Sequence, residues 1–242
     1  MFKEKLMSNY GTLYLLPVTL GASELDAVLP KRNIELIKTL IYFIAENAKD
    51  ARAFLKQCAY PEISKAEFSL INQHAKTEEV QSFLNPLLQG HDMGLMSDAG
   101  CPGIADPGAE VVRLAHQKGI KVVPLVGPSS IVLSIMASGF NGQNFAFIGY
   151  LPIDKNEKFK RIKELEQLCV KYKQAQFFIE TPYRNAHLFD DLLKTMQSSS
   201  KLLVATNLTL SEESIVVKSI SDWKKSPAPD FAKKPTVFGI YC

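Results

Sequence analysis

Residues 12–18, TLYLLPV, are almost without interruption apolar. A strand with one wet face would alternate; a run like this suits a strand buried on both faces, which means a parallel sheet covered by helices on each side. The stretches that follow fit that frame. Ile34 to Leu40 has helical spacing, Ile41 to Ala45 is β-branched and aromatic, and Lys49 to Cys58 places Phe54, Leu55 and Cys58 on one helical side. Residues 68–71, 93–96 and 120–125 read as further short strands, separated by helical patterns over 77–88 and from Asp106 to the closing Gly119. Strands alternating with helices predict a mostly parallel α/β sheet over residues 1–126. Asp106 is expected to cap the helix after it, with Pro107 as the first helical residue.

Beyond residue 127 the order changes. A helical run to Gly139, a strand at 145–148, a charged helix over 156–171, a strand at 176–179 and a helix over 185–196 precede three closing strands, at 202–205, 214–217 and 237–241. That predicts a second α/β domain over 127–242 with a mixed, partly antiparallel sheet. Trp223 is expected to anchor the segment before the last strand.

Bulk composition excludes several classes. With 46% hydrophobic and 22% charged residues the chain is of ordinary globular type, and no run approaches the length of a membrane span. Its net charge of +3 permits a polyanionic partner without demanding one. Four widely spaced cysteines show no metal-binding pattern, so no metal is expected, and they suit a reducing compartment. The first ten residues, MFKEKLMSNY, contain no apolar secretory core. The expectation is a cytoplasmic protein that does not engage a membrane.

Three loops carry the chemistry. Each follows a strand: Pro17-Val18-Thr19-Leu20-Gly21, then residues 97–108 (SDAGCPGIADPG), then Gly127-Pro128-Ser129-Ser130. Glycine lets a ligand approach backbone closely, proline stiffens the path, and small side chains leave the space open. Ligands of open α/β sheets bind at the carboxyl ends of strands. Neither phosphate-binding fingerprint, G-x-x-x-x-G-K-[ST] or G-x-G-x-x-G, is present. Ser129 or Ser130 can equally serve as a helix cap.

The order PVTLG, SDAGCPGIADPG, VVPLVGPSS, FIGYLP and FFIETPYR resembles the tetrapyrrole-methylase superfamily of S-adenosylmethionine (SAM)-dependent methyltransferases. It is most similar to the branch that methylates ribose 2′-hydroxyls of small-subunit ribosomal RNA. The resemblance implies two α/β domains with a ligand cleft between them, not a Rossmann-like fold, and commonly a homodimer. It implies SAM as cofactor and ribosomal RNA or the small subunit as partner. By motif, Pro17 would line the cleft. Asp98, Ala99, Gly100 and Cys101 would contact the methionine part of SAM, with Ile104 nearby and Asp106 matching a later family aspartate. Ser129 and Ser130 would lie beside the adenosine, Ile179 and Glu180 would match a strand end, and Leu208, Pro235 and Thr236 would complete the cofactor set.

The chain also departs from that branch. Glu46-Asn47-Ala48-Lys49 stands where the branch has Glu-Asp-Thr-Arg, and residues 206–210 (TNLTL) stand where it has Arg-Glu-Leu-Thr-Lys. Arginine and lysine are what would hold a phosphodiester backbone. Methylation of a tetrapyrrole or other small molecule, and SAM binding without catalysis, therefore remain alternatives. No residue stands out as the catalytic group. Glu46 and Glu180 are candidates to accept a proton, each at a strand end. Lys49 and Arg184 are candidates to neutralise phosphate. The run Lys155, Lys158, Lys160, Arg161, Lys163 reads as an RNA footprint or, because Glu157, Glu164 and Glu166 interleave it, as a solvated helix with ion pairs; the second is favoured.

Overall fold

A computed structural model describes residues 9–72 and 77–242, so most of the stretch MFKEKLMSNY lies outside the described residues. The chain divides into two compact units, Met1–Pro128 and Ser129–Cys242.

The first unit contains five strands: β1 (Thr12–Leu15), β2 (Tyr42–Ala45), β3 (Glu67–Leu70), β4 (Met93–Leu95) and β5 (Lys121–Pro124). All pair in parallel, in the order β3-β2-β4-β1-β5. The helices are α1 (Leu25–Val28), α2 (Lys31–Ile37), α3 (Ala48–Gln57), α4 (Thr77–Phe83), α5 (Asn85–Leu88) and α6 (Gly108–Gln117). Right-handed crossovers explain their distribution. From β1 to β3 the chain steps one way across the sheet, and α1–α3 pack on one face with Leu29, Ile37, Phe54 and Leu55 in one core cluster. From β3 to β5 it steps back, and α4–α6 cover the other face with Val80, Leu84, Leu87, Val111 and Leu114 in a second. The apolar run that predicted a two-sided strand divides between them, Leu13 into one cluster and Leu16 into the other.

Two local expectations are corrected. The helical pattern over 77–88 is two short helices, because Pro86 has no N–H to continue the first ladder. Asp106 and Pro107 both precede the helix, which starts at Gly108 with Pro107 in the cap position. The Asp106 carboxylate still satisfies the first helical N–H, accepting from Gly108 N at 2.7 Å, and it also accepts from Gly103 N at 2.9 Å. It therefore ties the loop to the helix rather than capping from the usual position.

In the second unit, β6 (Phe145–Tyr150), β7 (Ala175–Ile179), β8 (Lys201–Thr206), β9 (Ser214–Ser219) and β10 (Thr236–Tyr241) form a sheet ordered β6-β7-β10-β8-β9. Only the β6–β7 pair is parallel. The helices are α7 (Ser130–Ser138), α8 (Lys155–Tyr172), α9 (Asn185–Thr195) and α10 (Ile220–Trp223). Ile162, Leu165, Leu188, Phe189 and Leu192 from α8 and α9 share a core with Phe178 and Phe238 of the sheet. Trp223 joins that core, and its indole N–H donates to Leu202 O at 2.9 Å, as expected of an anchor.

Candidate functional site

Because β2, β4, β1 and β5 are parallel neighbours, the segments leaving them emerge at one edge of the sheet. The connections from the adjacent strands β1 and β4 then run in opposite directions, the topological condition for a crevice at the carboxyl edge. The three sequence-predicted loops meet there. Val18 N donates to Gly100 O at 2.9 Å, joining the first to the second. The Cys101 thiol donates to Pro128 O at 3.4 Å, joining the second to the third. Between the first and third the approach is so close that a Cβ on Gly127 would lie 2.1 Å from Pro17 Cβ. Gly100 is required twice over, by a φ of +73° and by Leu20 and Pro128 O within 3.3 Å of its absent Cβ. Ala105, with φ +62°, holds a left-handed conformation that costs a non-glycine residue about 1 kcal/mol or more.

Pro17 of the first loop and Cys101–Ile104 of the second, with the ends of β1 and β5 and the start of α6, line an open pocket of about 440 Å³. Ile104 is 48% exposed at the mouth of this pocket. A second pocket, about 210 Å³, lies between the first loop and α3 and is lined by Val18–Gly21, Phe54 and Ser97–Asp98.

Glu46, the residue after β2, reaches this edge and accepts from Asp98 N at 3.3 Å. Burial raises its pKa above the usual glutamate value, and the Asp98 and Asp106 carboxylates push in the same direction. Asp98 and Asp106 are themselves raised, chiefly by burial. Asn47, where the resembled motif has an aspartate, is the cap of α3; its side-chain oxygen accepts from Lys49 N at 2.9 Å. Lys49 is exposed on the first turn of that helix.

The second unit gathers another set. Antiparallel pairing lays the start of β10 beside the ends of β7 and β8, so Ile179, Glu180, Leu208, Pro235 and Thr236 share one end of the sheet. Asn207 N donates to Pro235 O at 3.0 Å. Asn207 and Thr209 both have positive φ, +49° and +70°. Glu180, a candidate proton acceptor, is buried, and its Oε1 accepts from Thr181 N at 2.7 Å and from Arg184 Nη2 at 2.6 Å. Arg184 keeps 40% of its side chain exposed while holding that pair. Ser129 caps α7, accepting from Val132 N at 3.4 Å; Ser130 opens the same helix.

Sequence reasoning missed Asn185. Its side chain is fully buried at the start of α9, and its Nδ2 donates to Lys234 O at 2.9 Å and to Thr236 Oγ1 at 3.1 Å. A carbonyl cannot donate, so the Lys234 oxygen fixes which way the amide lies. The Asn185 Oδ1 is left buried without a partner. Nothing in the local sequence signals this, because Thr236 is some fifty residues away (|i−j| of 51).

On α8 the basic run divides. Lys158 pairs with Asp191 at 3.1 Å, both nearly buried, and Arg161 pairs with Glu164. Lys155, Lys160 and Lys163 are exposed. Glu166 belongs to no solvated face: it is buried, accepting from Gln197 N at 2.9 Å and from Ser200 Oγ. Among the described residues no cluster of His, Cys, Asp and Glu is placed to hold a metal, and no helix is long and apolar enough to cross a membrane.

No protein-family model matches the chain. Ribosomal RNA small subunit methyltransferase I of Vibrio cholerae is 30% identical over 206 residues, 84% of this chain and 67% of that protein. The protein of the same name from Bacillus subtilis is 31% identical over 215 residues, 89% of this chain and 70% of its own. The chain belongs to the ribosomal RNA small subunit methyltransferase I family. The one from Leptospira biflexa is 30% identical, with 85% of this chain and 81% of that protein covered. Among solved structures, the methyltransferase CobJ matches with a TM-score of 0.64 at 15% identity, covering 96% of this chain and 94% of its own. At that identity the likeness establishes the fold, which is the tetrapyrrole-methylase fold. Membership of the methyltransferase I family makes the chain a methyltransferase, and a methyl donor follows from that.

Proposed function

We propose that this methyltransferase takes its methyl group from SAM and places it on a ribose 2′-hydroxyl of small-subunit ribosomal RNA. The observation that carries the reading is the meeting of three loops, remote in sequence, beside a pocket with apolar rather than charged walls. The residues present fit the donor. A pocket of about 440 Å³ with Pro17, Cys101 and Ile104 on its walls suits a thioether chain, and a Cβ at Gly100 or Gly127 would disturb the loops that frame it. In the second unit the unpartnered Asn185 Oδ1 is an acceptor of the kind an adenine amine satisfies. The residues proposed to hold SAM are Pro17, Asp98, Ala99, Gly100, Cys101, Ile104 and Asp106, with Ser129, Ser130, Ile179, Glu180, Leu208, Pro235 and Thr236.

Bound SAM supplies a methyl carbon on a cationic sulfur, which an incoming nucleophile displaces in line. The chain must align that nucleophile and help it lose its proton. Glu46 is the proposed acceptor, because a carboxylate with a raised pKa takes a proton more readily near neutral pH and because it lies at the loop edge. Glu180 is instead a positioning residue, committed to Arg184. Lys49 and Arg184 are the exposed cations proposed to meet phosphate. The protein is proposed to work in the cytoplasm, as a homodimer.

The test is transfer from methyl-labelled SAM to small ribosomal subunits purified from a strain lacking the family enzyme. Label in an alkali-resistant dinucleotide is expected, since a 2′-O-methyl group blocks cleavage of the next phosphodiester. Donor binding by calorimetry with no label in RNA would instead favour the binding-only alternative, which the departures at Asn47, Ala48 and residues 206–210 motivate.

A further inference from the structure

Far along β10 from Pro235 and Thr236, two cysteines from distant parts of the chain meet. Cys169 lies on the buried side of α8 and is fully shielded; Cys242 follows β10 and is half-buried. Cys242 N donates to the Cys169 sulfur at 2.9 Å, which sets the two cysteines side by side. Ser200 Oγ stands 3.5 Å from the Cys242 sulfur, and the Cys242 thiol faces Glu166 O at 3.8 Å.

We propose that Cys242 and Cys169 are a peroxide-reactive thiol pair, Cys242 the attacking sulfur and Cys169 the resolving one, which close reversibly to a disulfide. The division of labour follows from the environment. Cys242 is reachable from solvent, whereas Cys169 is enclosed. Its pairing with Cys169 draws the Cys242 thiol down to about 7, while the same pairing together with burial drives the Cys169 thiol up. By contrast Cys58 is buried and its thiol is pushed up to about 11, and burial also raises Cys101. Reactivity is therefore concentrated at one of the four cysteines.

The oxidant is hydrogen peroxide or an alkyl hydroperoxide. The Cys242 thiolate attacks one peroxide oxygen, the O–O bond breaks heterolytically, and the departing hydroxide takes a proton and leaves as water. Cys242 is then a sulfenic acid. The Cys169 sulfur attacks the Cys242 sulfur, the S–O bond breaks, and a second water leaves with the Cys169 proton. Two thiols have lost two hydrogens and two electrons to one peroxide. The new bond joins α8 to the end of the central strand of the second sheet, and a dithiol reductant restores both thiols.

The full chain is exposed to stoichiometric hydrogen peroxide, then alkylated, digested and weighed. The expected result is one linked peptide pair containing Cys169 and Cys242, lighter by two hydrogens and released by dithiothreitol. Cys169→Ser is expected to stop at Cys242 sulfenic acid, trapped by dimedone, and Cys242→Ser to show no linkage. Iodoacetamide is expected to label Cys242 about tenfold or more faster than Cys58 near neutral pH, because Cys58 is both buried and less ionised. Both thiols remaining alkylatable in the wild-type chain after peroxide, or Cys58 or Cys101 oxidising first, would overturn the proposal. The wild-type measurement decides even where a variant misfolds.

Discussion

At the scale of single residues, the site depends on small side chains more than on functional ones. Gly127→Ala would bring a methyl carbon against Pro17 Cβ, backbone-fixed on both sides, so a loop must move. Overpacking of this kind costs about 1–3 kcal/mol. Calorimetry with the demethylated donor is expected to show at least a tenfold loss of affinity, and a Gly142→Ala control, with open space at its Cβ, no change. Glu46 gives a pH prediction with a definite sign. Its folded pKa is raised, so protonation favours the folded state. The associated stability is present below the unfolded value of 4.5 and is lost as pH rises through the folded one. Methyl transfer is expected to rise over that same window, as the carboxylate forms. Asp98→Asn removes a neighbouring negative charge and is expected to move the acid limb of the rate profile downward, with Glu46→Gln abolishing it. A limb unmoved by Asp98→Asn would remove Glu46 from the mechanism.

At the scale of elements, Asp106 and Glu166 show how one carboxylate fixes a segment. Asp106 holds Gly103 N and Gly108 N, so the loop and α6 move together. Asp106→Ala is expected to destabilise the chain by about 2 kcal/mol and to weaken donor binding in parallel. Chemical denaturation and calorimetry read the two effects. Glu166→Ala, by contrast, frees Gln197 N and Ser200 Oγ beneath α8 and is expected to lower stability by about 1–3 kcal/mol while leaving donor affinity unchanged. Element identity was legible because apolar spacing reports burial directly: Leu13, Phe43 and Leu95 are core residues, and the strands around them stand close to where the pattern placed them. Glu166 was misread because its charge outweighed its spacing: it lies on the same face as the buried Ile162, Leu165 and Cys169, and residues 197–200 supply its partners.

At the scale of the whole molecule, each unit has its own sheet and its own core. A ligand that binds only the folded chain stabilises it by mass action, about 2.7 kcal/mol at a hundred times its dissociation constant. The demethylated donor is therefore expected to raise the unfolding midpoint by roughly 5–10 °C in a scanning calorimeter. An unchanged midpoint at saturating concentration would remove SAM from the assignment. The alternation of strand and helix, the covered parallel sheet and the loops rich in glycine and proline were all determined by the sequence, because periodicity and backbone restriction act over a few residues. Tertiary structure alone decided that Glu180 is bound to Arg184, that Asn185 carries an unpartnered oxygen and that Cys169 meets Cys242. Those depend on where the chain returns after tens of residues, and a side chain's electrostatic environment is set by the neighbours it meets in space.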